Sequence, residues 1–264
     1  MPGCAETPPA GAAADGGIVR LEAVSRVFGE VTAVDAVSCA IAPGGITGLV
    51  GSDGAGKTTL LRMIATLLPP SSGRVCVGGR DAVGDRAGVK ALIGYMPQRF
   101  GLYQDLTVAE NLDFFMDIYG IAGTVRRTRR ERYLGFSNLT PFVDRKAGDL
   151  SGGMRQKLGL ACVLVHQPQV LILDEPTNGV DPVSRQEFWR ILADMREEGM
   201  TLLVSTAYLD EGERCDRLLL MHKGRILADG PPAEIRADHP DLEEAIVRRI
   251  LASDAALSEG RVGR

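Results

Sequence analysis

The sequence predicts an α/β fold with an all-helical subdomain inserted into it. Three stretches predict it. An apolar run, Ile46 to Val50, passes through a glycine-rich turn into an apolar-periodic segment, Leu60 to Leu68, which reads as strand, turn and helix. Val170-Leu171-Ile172-Leu173 is apolar at every position and of strand length, as expected for a strand covered on both faces of a parallel sheet. From Leu106 the apolar period becomes helical and stays so for two segments, so Gln98 to Asp149 reads as a helical insertion.

Taken in order, Met1 to Gly17 is rich in Ala, Gly and Pro and reads as a disordered tail; it lacks the basic and apolar regions of a secretory signal. Ile18 to Val24 alternates as a strand, Ser25 to Thr32 reads as a turn carrying Phe28, and Val34 to Ile41 is a second strand closed by Pro43-Gly44-Gly45. After the helix that follows Gly51 to Thr59, Pro69-Pro70-Ser71-Ser72-Gly73 is a stop. Val75 to Val77 is a short strand, and Leu92 to Met96 is an apolar run ending at Pro97-Gln98. Thr107 and Glu110 have capping-box spacing, with Leu112, Phe115, Met116 and Tyr119 on one face and Gly120 at the end. Val125 to Leu134 is a basic helical segment. Its Arg126, Arg127, Arg129, Arg130 and Arg132 read as a solvated face, with contact to a partner or lipid surface as the alternative.

Ser151 opens a helix with Met154, Leu158, Ala161, Cys162 and Val165 at helical spacing, ended by Pro168. Pro182 sits as a first-turn proline of a helix that Gly199 stops, and Leu202 to Val204 is another buried strand. Leu218 to Met221 and Arg225 to Ala228 flank a hairpin turn, Pro231-Pro232 starts a short helix, and Leu242 to Leu251 is an amphipathic end segment. The whole reads as a main domain over 18–238, its helical subdomain over about 98–150, and a C-terminal helical extension over 239–264.

Composition narrows the classes. With 264 residues, 45% of them hydrophobic, the chain is long enough for a substantial core, and a net charge of −4 gives no footprint for nucleic acid. Cys4, Cys39, Cys76, Cys162 and Cys215 are scattered without metal spacing and read as reduced core thiols, which points to a cytoplasmic protein. No run approaches the roughly 20 apolar residues of a membrane span, so any membrane contact is expected to go through a partner.

The chemistry centres on Gly51-Ser52-Asp53-Gly54-Ala55-Gly56-Lys57-Thr58-Thr59. Glycines let successive N–H groups turn inward, and the helix start adds unpaired N–H groups and the positive end of its dipole, so the loop suits phosphate. Lys57 offers charge to β- and γ-phosphates and Thr58 a hydroxyl to Mg²⁺. The apolar strand at 170–173 runs into Asp174-Glu175. Buried carboxylates need a reason, and behind a phosphate loop one is available: Asp174 for Mg²⁺ and Glu175 to polarise an attacking water.

With Leu150-Ser151-Gly152-Gly153-Met154-Arg155-Gln156 added, the chain resembles the ATP-binding cassette (ABC) ATPases over about residues 18–235. The order of motifs is also theirs: phosphate loop, Gln98, signature, Asp174-Glu175-Pro176, then Asn178-Gly179-Val180-Asp181. The resemblance implies a P-loop NTPase core, with a mixed sheet, flanking helices and an N-terminal antiparallel β subdomain. It implies ATP and Mg²⁺ as cofactors, with Thr58, Gln98 and Asp174 at the metal and Glu175, Lys57 and Gln98 catalytic. Phe28 resembles the aromatic that stacks on adenine. Ser151, Gly152, Gly153 and Gln156 would face the nucleotide of a second cassette packed head-to-tail, as homo- or heterodimer, with Asp181 crossing that interface. Leu102 to Asn111 resembles the exporter-type stretch that docks a separate transmembrane permease, which implies a subunit held on the inner face of the membrane.

One position departs from the family: Ala207 stands where a His usually contacts the γ-phosphate. This implies slow hydrolysis, or sufficiency of Glu175, or a competent site supplied by the partner cassette. Together with Asp53 it is similar to the first cassette of tandem ABC-2-type exporters, including the ribosome-associated group. The expected function is therefore the ATPase subunit of an exporter. A soluble ABC ATPase acting on ribosomes and a regulatory cassette that binds ATP with weak hydrolysis are the alternatives.

Overall fold

The computed structural model describes residues 17–262, with side chains described as far as Ala255. The expected tail over 1–17 lies outside the described residues apart from Gly17. The chain begins with β1 (Val19–Phe28) and β2 (Val31–Ile41), followed by β3 (Ile46–Val50), α1 (Lys57–Ile64), β4 (Ser72–Val77) and β5 (Arg80–Asp81). Next come α2 (Arg86–Leu92), β6 (Ile93–Met96), α3 (Val108–Ile118), α4 (Gly123–Phe136) and α5 (Gly152–Leu164). The second half holds β7 (Val170–Asp174), α6 (Pro182–Glu197), β8 (Thr201–Thr206) and α7 (Leu209–Gly212). It closes with β9 (Arg217–His222), β10 (Arg225–Gly230), α8 (Pro232–Arg236) and α9 (Leu242–Val262).

The strands form two sheets. One is antiparallel in the order β2-β1-β4-β5. The other runs β10-β9-β3-β8-β7-β6 and is parallel except for the edge strand β10. Alternate residues of its central strands feed two cores. Leu171 and Leu173 of β7, with Leu202 and Val204 of β8, pack with the helices of one face. Val170, Ile172 and Leu203 pack with α1 and the antiparallel sheet on the other. Burial on both faces is why these strands are continuous apolar runs. Phe188 on α6, 1% exposed, is the largest fully buried side chain among the described residues. Phe188→Ala is expected to cost about 3–5 kcal/mol, read as a lower urea midpoint at unchanged slope.

Several local expectations meet the structure directly. Thr107 and Glu110 form a reciprocal capping box, Asp181 caps α6 ahead of Pro182, and Lys223-Gly224, both at positive φ, make the β9–β10 turn. Others are corrected. Strand β1 runs on to Phe28, and the turn is only Gly29-Glu30. The cause is a bulge: Ala23 takes φ +46° and the register shifts between Leu21 and Val24, which breaks the alternation that would have extended the strand. Helix α2 has no sequence signature, because only Val89 of it is buried and it carries no apolar stripe; Asp85 starts it by accepting from Gly88 N (2.9 Å).

The arginines of α4 are ties more than a solvated face. Arg126 pairs with Asp113 and Asp117 of α3, and Arg130 with Asp113. Arg129 donates to Val165 O (2.7 Å) and Gln167 Oε1 (2.8 Å), and Arg132 pairs with Glu198 at the end of α6. Arg127 alone of the five is exposed without such a pairing among the described residues. The cysteines also need correction: Cys39, Cys162 and Cys215 are free, whereas Cys76 is disulfide-bonded. Burial pushes the Cys39 and Cys215 thiols up to about 12, so neither is a nucleophile.

Candidate nucleotide site

Four strands of the parallel sheet end on one edge, and each delivers a site residue. Strand β3 ends at Val50 and runs into the glycine-rich loop; β7 ends at Asp174; β8 ends at Thr206; β6 ends at Met96, two residues before Gln98. The carboxyl edge of a parallel sheet is where such folds place ligands. The cleft there has a volume of about 390 Å³ and is lined by loop residues 53–59 with Ala33, Gln98, Glu175 and Asn178.

The loop is shaped by close backbone approach. Gly56 takes φ +105°, and a Cβ on it would lie 2.2 Å from Ala33 O of β2, so conformation and space both require glycine. Gly56 is the last residue before α1, and no side chain caps that helix start. Its first-turn N–H groups therefore lack intrahelical or side-chain acceptors, as a phosphate site requires. Lys57, 4% exposed, donates to Gly51 O (2.7 Å) and Ser52 O (3.1 Å). The ammonium is held by its own loop, 3.5 Å from Glu175 Oε1.

Asp174 and Glu175 face different partners. Asp174 Oδ1 accepts from Thr58 Oγ1 (2.9 Å) and Ser205 Oγ (2.8 Å), while Oδ2 accepts from Tyr95 OH (3.3 Å). Burial, then the Asp174 charge, raise the Tyr95 phenol, which keeps it a donor. Glu175 takes the left-handed conformation, φ +48°, unusual for a side chain of this size. Its N–H donates to Ser205 O (3.1 Å) and Ser205 Oγ (3.0 Å), which holds that conformation. Its Oε2 accepts from Gln98 Nε2 (2.9 Å) and Asn178 Nδ2 (3.2 Å). Lys57, Thr58, Gln98, Asp174 and Glu175, drawn from three distant segments, thus meet in one network.

The remaining expected residues lie outside this cleft. Phe28 ends β1, is 45% exposed, and carries the Arg26 guanidinium 4.6 Å from its ring centroid. Ser151 caps α5 by accepting from Met154 N (3.2 Å). Gly152 and Gln156 line a groove of about 300 Å³ with Gln104 and Val180, which adjoins the cleft through the shared residues Gln98 and Asn178. Gly153 is buried against Ser184 of α6. Asp181 accepts from Val183 N and Ser184 N, and those bonds, that from Ser184 first, lower its pKa. Ala207 follows β8 and is exposed. Ser205 and Tyr95 join the site without a motif to mark them, and Asn178 does so from the Asn178-to-Asp181 motif. Ser205 and Tyr95 lie inside strands, where a polar residue on an otherwise buried run was the one available signal.

Among the described residues no helix is long and apolar enough to cross a membrane. Residues 34–178 match the family described as ABC transporter. The chain is 53% identical over 200 residues to "Probable multidrug ABC transporter ATP-binding protein YbhF" of Escherichia coli (strain K12), covering 76% of this chain and 35% of that protein. It thus spans about a third of that relative's length. It is 39% identical over 221 residues to "Nod factor export ATP-binding protein I" of Paraburkholderia xenovorans (strain LB400), covering 83% of this chain and 72% of the relative. Among solved structures, cbiO1 from Clostridium perfringens, part of the ABC transporter complex cbiONQ, superposes with a TM-score of 0.78. It is 27% identical, with 93% of this chain and 100% of that one covered.

Proposed function

The chain belongs to the ABC transporter family, and from that premise we propose that it is the ATP-binding subunit of a transporter, hydrolysing ATP to ADP and phosphate to drive export through a separate membrane permease. The observation that carries this reading is the convergence of the 51–59 loop, Asp174-Glu175 and Gln98 at one sheet edge. The loop amides and Lys57 bind the phosphates, and Phe28 supplies a ring for the adenine. Gln98, 2.9 Å from Glu175, ties the carboxylate to the segment entering the helical insertion. Glu175 polarises the attacking water and receives its proton.

The donor set fits a magnesium ion. Thr58 Oγ1 and Asp174 are both oxygen ligands, already 2.9 Å apart and steadied by Ser205 and Tyr95. Mg²⁺ held there would neutralise charge on the phosphates. Gln98 is the third proposed contact to it.

Ser151, Gly152, Gly153, Gln156 and Asp181 stand apart from the chain's own phosphate loop, which supports their serving the nucleotide of a second, head-to-tail cassette. Leu102 to Asn111, at the start of the helical insertion, is the proposed permease-docking stretch, which would hold the subunit at the inner membrane face. The export direction follows a relative whose name carries Nod factor export. The test is phosphate release from MgATP by the purified chain; no release above that of Lys57→Ala would overturn the reading. Ala207→His is expected to raise kcat about tenfold by returning a hydrogen-bond donor beside the γ-phosphate. An unchanged rate would show that the missing His is not limiting.

A further inference from the structure

Behind the cleft lies a buried carboxylate that the chemistry above does not use. Glu211, in α7, is 0% exposed. A carboxylate so placed must be satisfied by hydrogen bonds. Its Oε1 accepts from Thr177 Oγ1 (2.7 Å) and its Oε2 from Thr206 Oγ1 (2.6 Å). The Arg185 guanidinium of α6 lies 3.9 Å from Oε1.

Thr177 lies between Glu175 and Asn178, which line the cleft, and Thr206 ends β8 at the same sheet edge. Thr177 is two residues past Glu175, in a tight turn where Asn178 N donates to Glu175 O and Val180 N to Thr177 O. Thr206 ends β8, and its Oγ1 also accepts from Tyr208 N (3.0 Å), so it fixes the chain on both sides of Ala207. The Arg185 guanidinium covers the Tyr208 ring at 4.6 Å from its centroid. Glu211 therefore joins the turn that carries Glu175 to the segment that carries Ala207.

We propose that Glu211 is a positioning residue, which aims the Glu175 carboxylate by holding Thr177 and Thr206 together. This rests on the reading of Glu175 as the group that polarises water. A carboxylate serving only to fill the interior could be exchanged for packed apolar groups without consequence for turnover. One that sets a reacting group would change kcat and leave substrate affinity in place.

The experiment uses the full chain and the variants Thr177→Val, Glu211→Gln and Glu211→Ala. It measures kcat and KM for MgATP and amide hydrogen exchange in the nucleotide-free protein. Thr177→Val is expected to lower kcat about tenfold and Glu211→Ala about 100-fold, with Glu211→Gln in between and KM held within about twofold. Exchange over 175–180 is expected to quicken while that of the phosphate loop stays as it was. Unchanged kcat overturns the proposal, whether or not exchange quickens. A joint loss of kcat and affinity, with faster exchange in the phosphate loop, also overturns it, because that is general loosening. If Glu211→Ala does not fold, Thr177→Val decides. If the unsubstituted chain releases no phosphate, the reading of Glu175 fails, and exchange over 175–180 still decides whether Glu211 holds that turn.

Discussion

Lys57→Ala is expected to weaken MgATP binding by about 100-fold or more and to abolish turnover, since removing one partner of a buried charged contact costs about 2–5 kcal/mol. The ammonium is pre-placed: it is 4% exposed and held by the carbonyls of Gly51 and Ser52. It therefore needs little ordering when phosphate arrives. Without it, the cradle presents two carbonyl oxygens and the Glu175 carboxylate, which stood 3.5 Å from the ammonium. Each of these repels a triphosphate. The loop itself should survive, because its path is set by Gly56 against Ala33 and by Gly224 N donating to Ala55 O (3.0 Å). Calorimetric titration with a non-hydrolysable ATP analogue, beside a thermal melt, checks both halves. Unchanged affinity would remove the phosphate-loop assignment.

Glu175→Gln is expected to separate binding from chemistry. It keeps the size of the side chain and leaves one oxygen to accept from Gln98 or Asn178, so the network is largely retained. It removes the proton acceptor, which is worth about 10²–10⁴-fold in rate. It also removes a negative charge beside Lys57, so affinity for ATP should hold or rise. If Ser151 and its neighbours complete the site on a second cassette, the ATP-bound dimer should accumulate. Size exclusion with light scattering at saturating ATP reads the mass. Monomer alone would count against a shared site, and a normal rate of phosphate release would count against the role of Glu175.

Much of the site was legible because its devices are local. The phosphate loop depends on glycines within nine residues of one another and on the helix that follows them. Thr107 with Glu110, Ser151 with Met154 and Asp181 with Ser184 are contacts three residues apart. Such pairs are written in spacing alone. The C-terminal hairpin was legible for the same reason, since the two-residue turn Lys223-Gly224 joins β9 directly to β10. The antiparallel hairpin was less so. The bulge at Ala23 shifted the alternation by which the strand's length is read.

What lay beyond the sequence were partners that only strand order supplies. Ser205 meets Asp174 because β8 lies beside β7 in register, and Tyr95 meets it because β6 lies on the other side of β7. No spacing along the chain encodes either contact. The arginines of α4 show the same gap. Read alone, a basic run is a solvated face; packed, Arg129 and Arg132 bond to residues beyond the end of α5 and at the end of α6. Glu211 is the clearest case. In sequence it is one acidic residue among several after β8; in the fold it is fully buried and bonded to Thr177, 34 positions away.

The sequence by itself determined that this protein has a glycine-rich loop suited to phosphate, a helix start suited to a second anion and a pair of carboxylates ending a buried strand. These are short-range matters of backbone freedom, capping and apolar pattern. Only the tertiary structure decided which carboxylate faces Thr58 and which faces Gln98, and what holds each in place. The physical reason is that a non-sequential sheet, β3 beside β8 beside β7 beside β6, brings together strand ends that lie far apart in the chain. Hydrogen bonds between such ends are settled by register across the sheet.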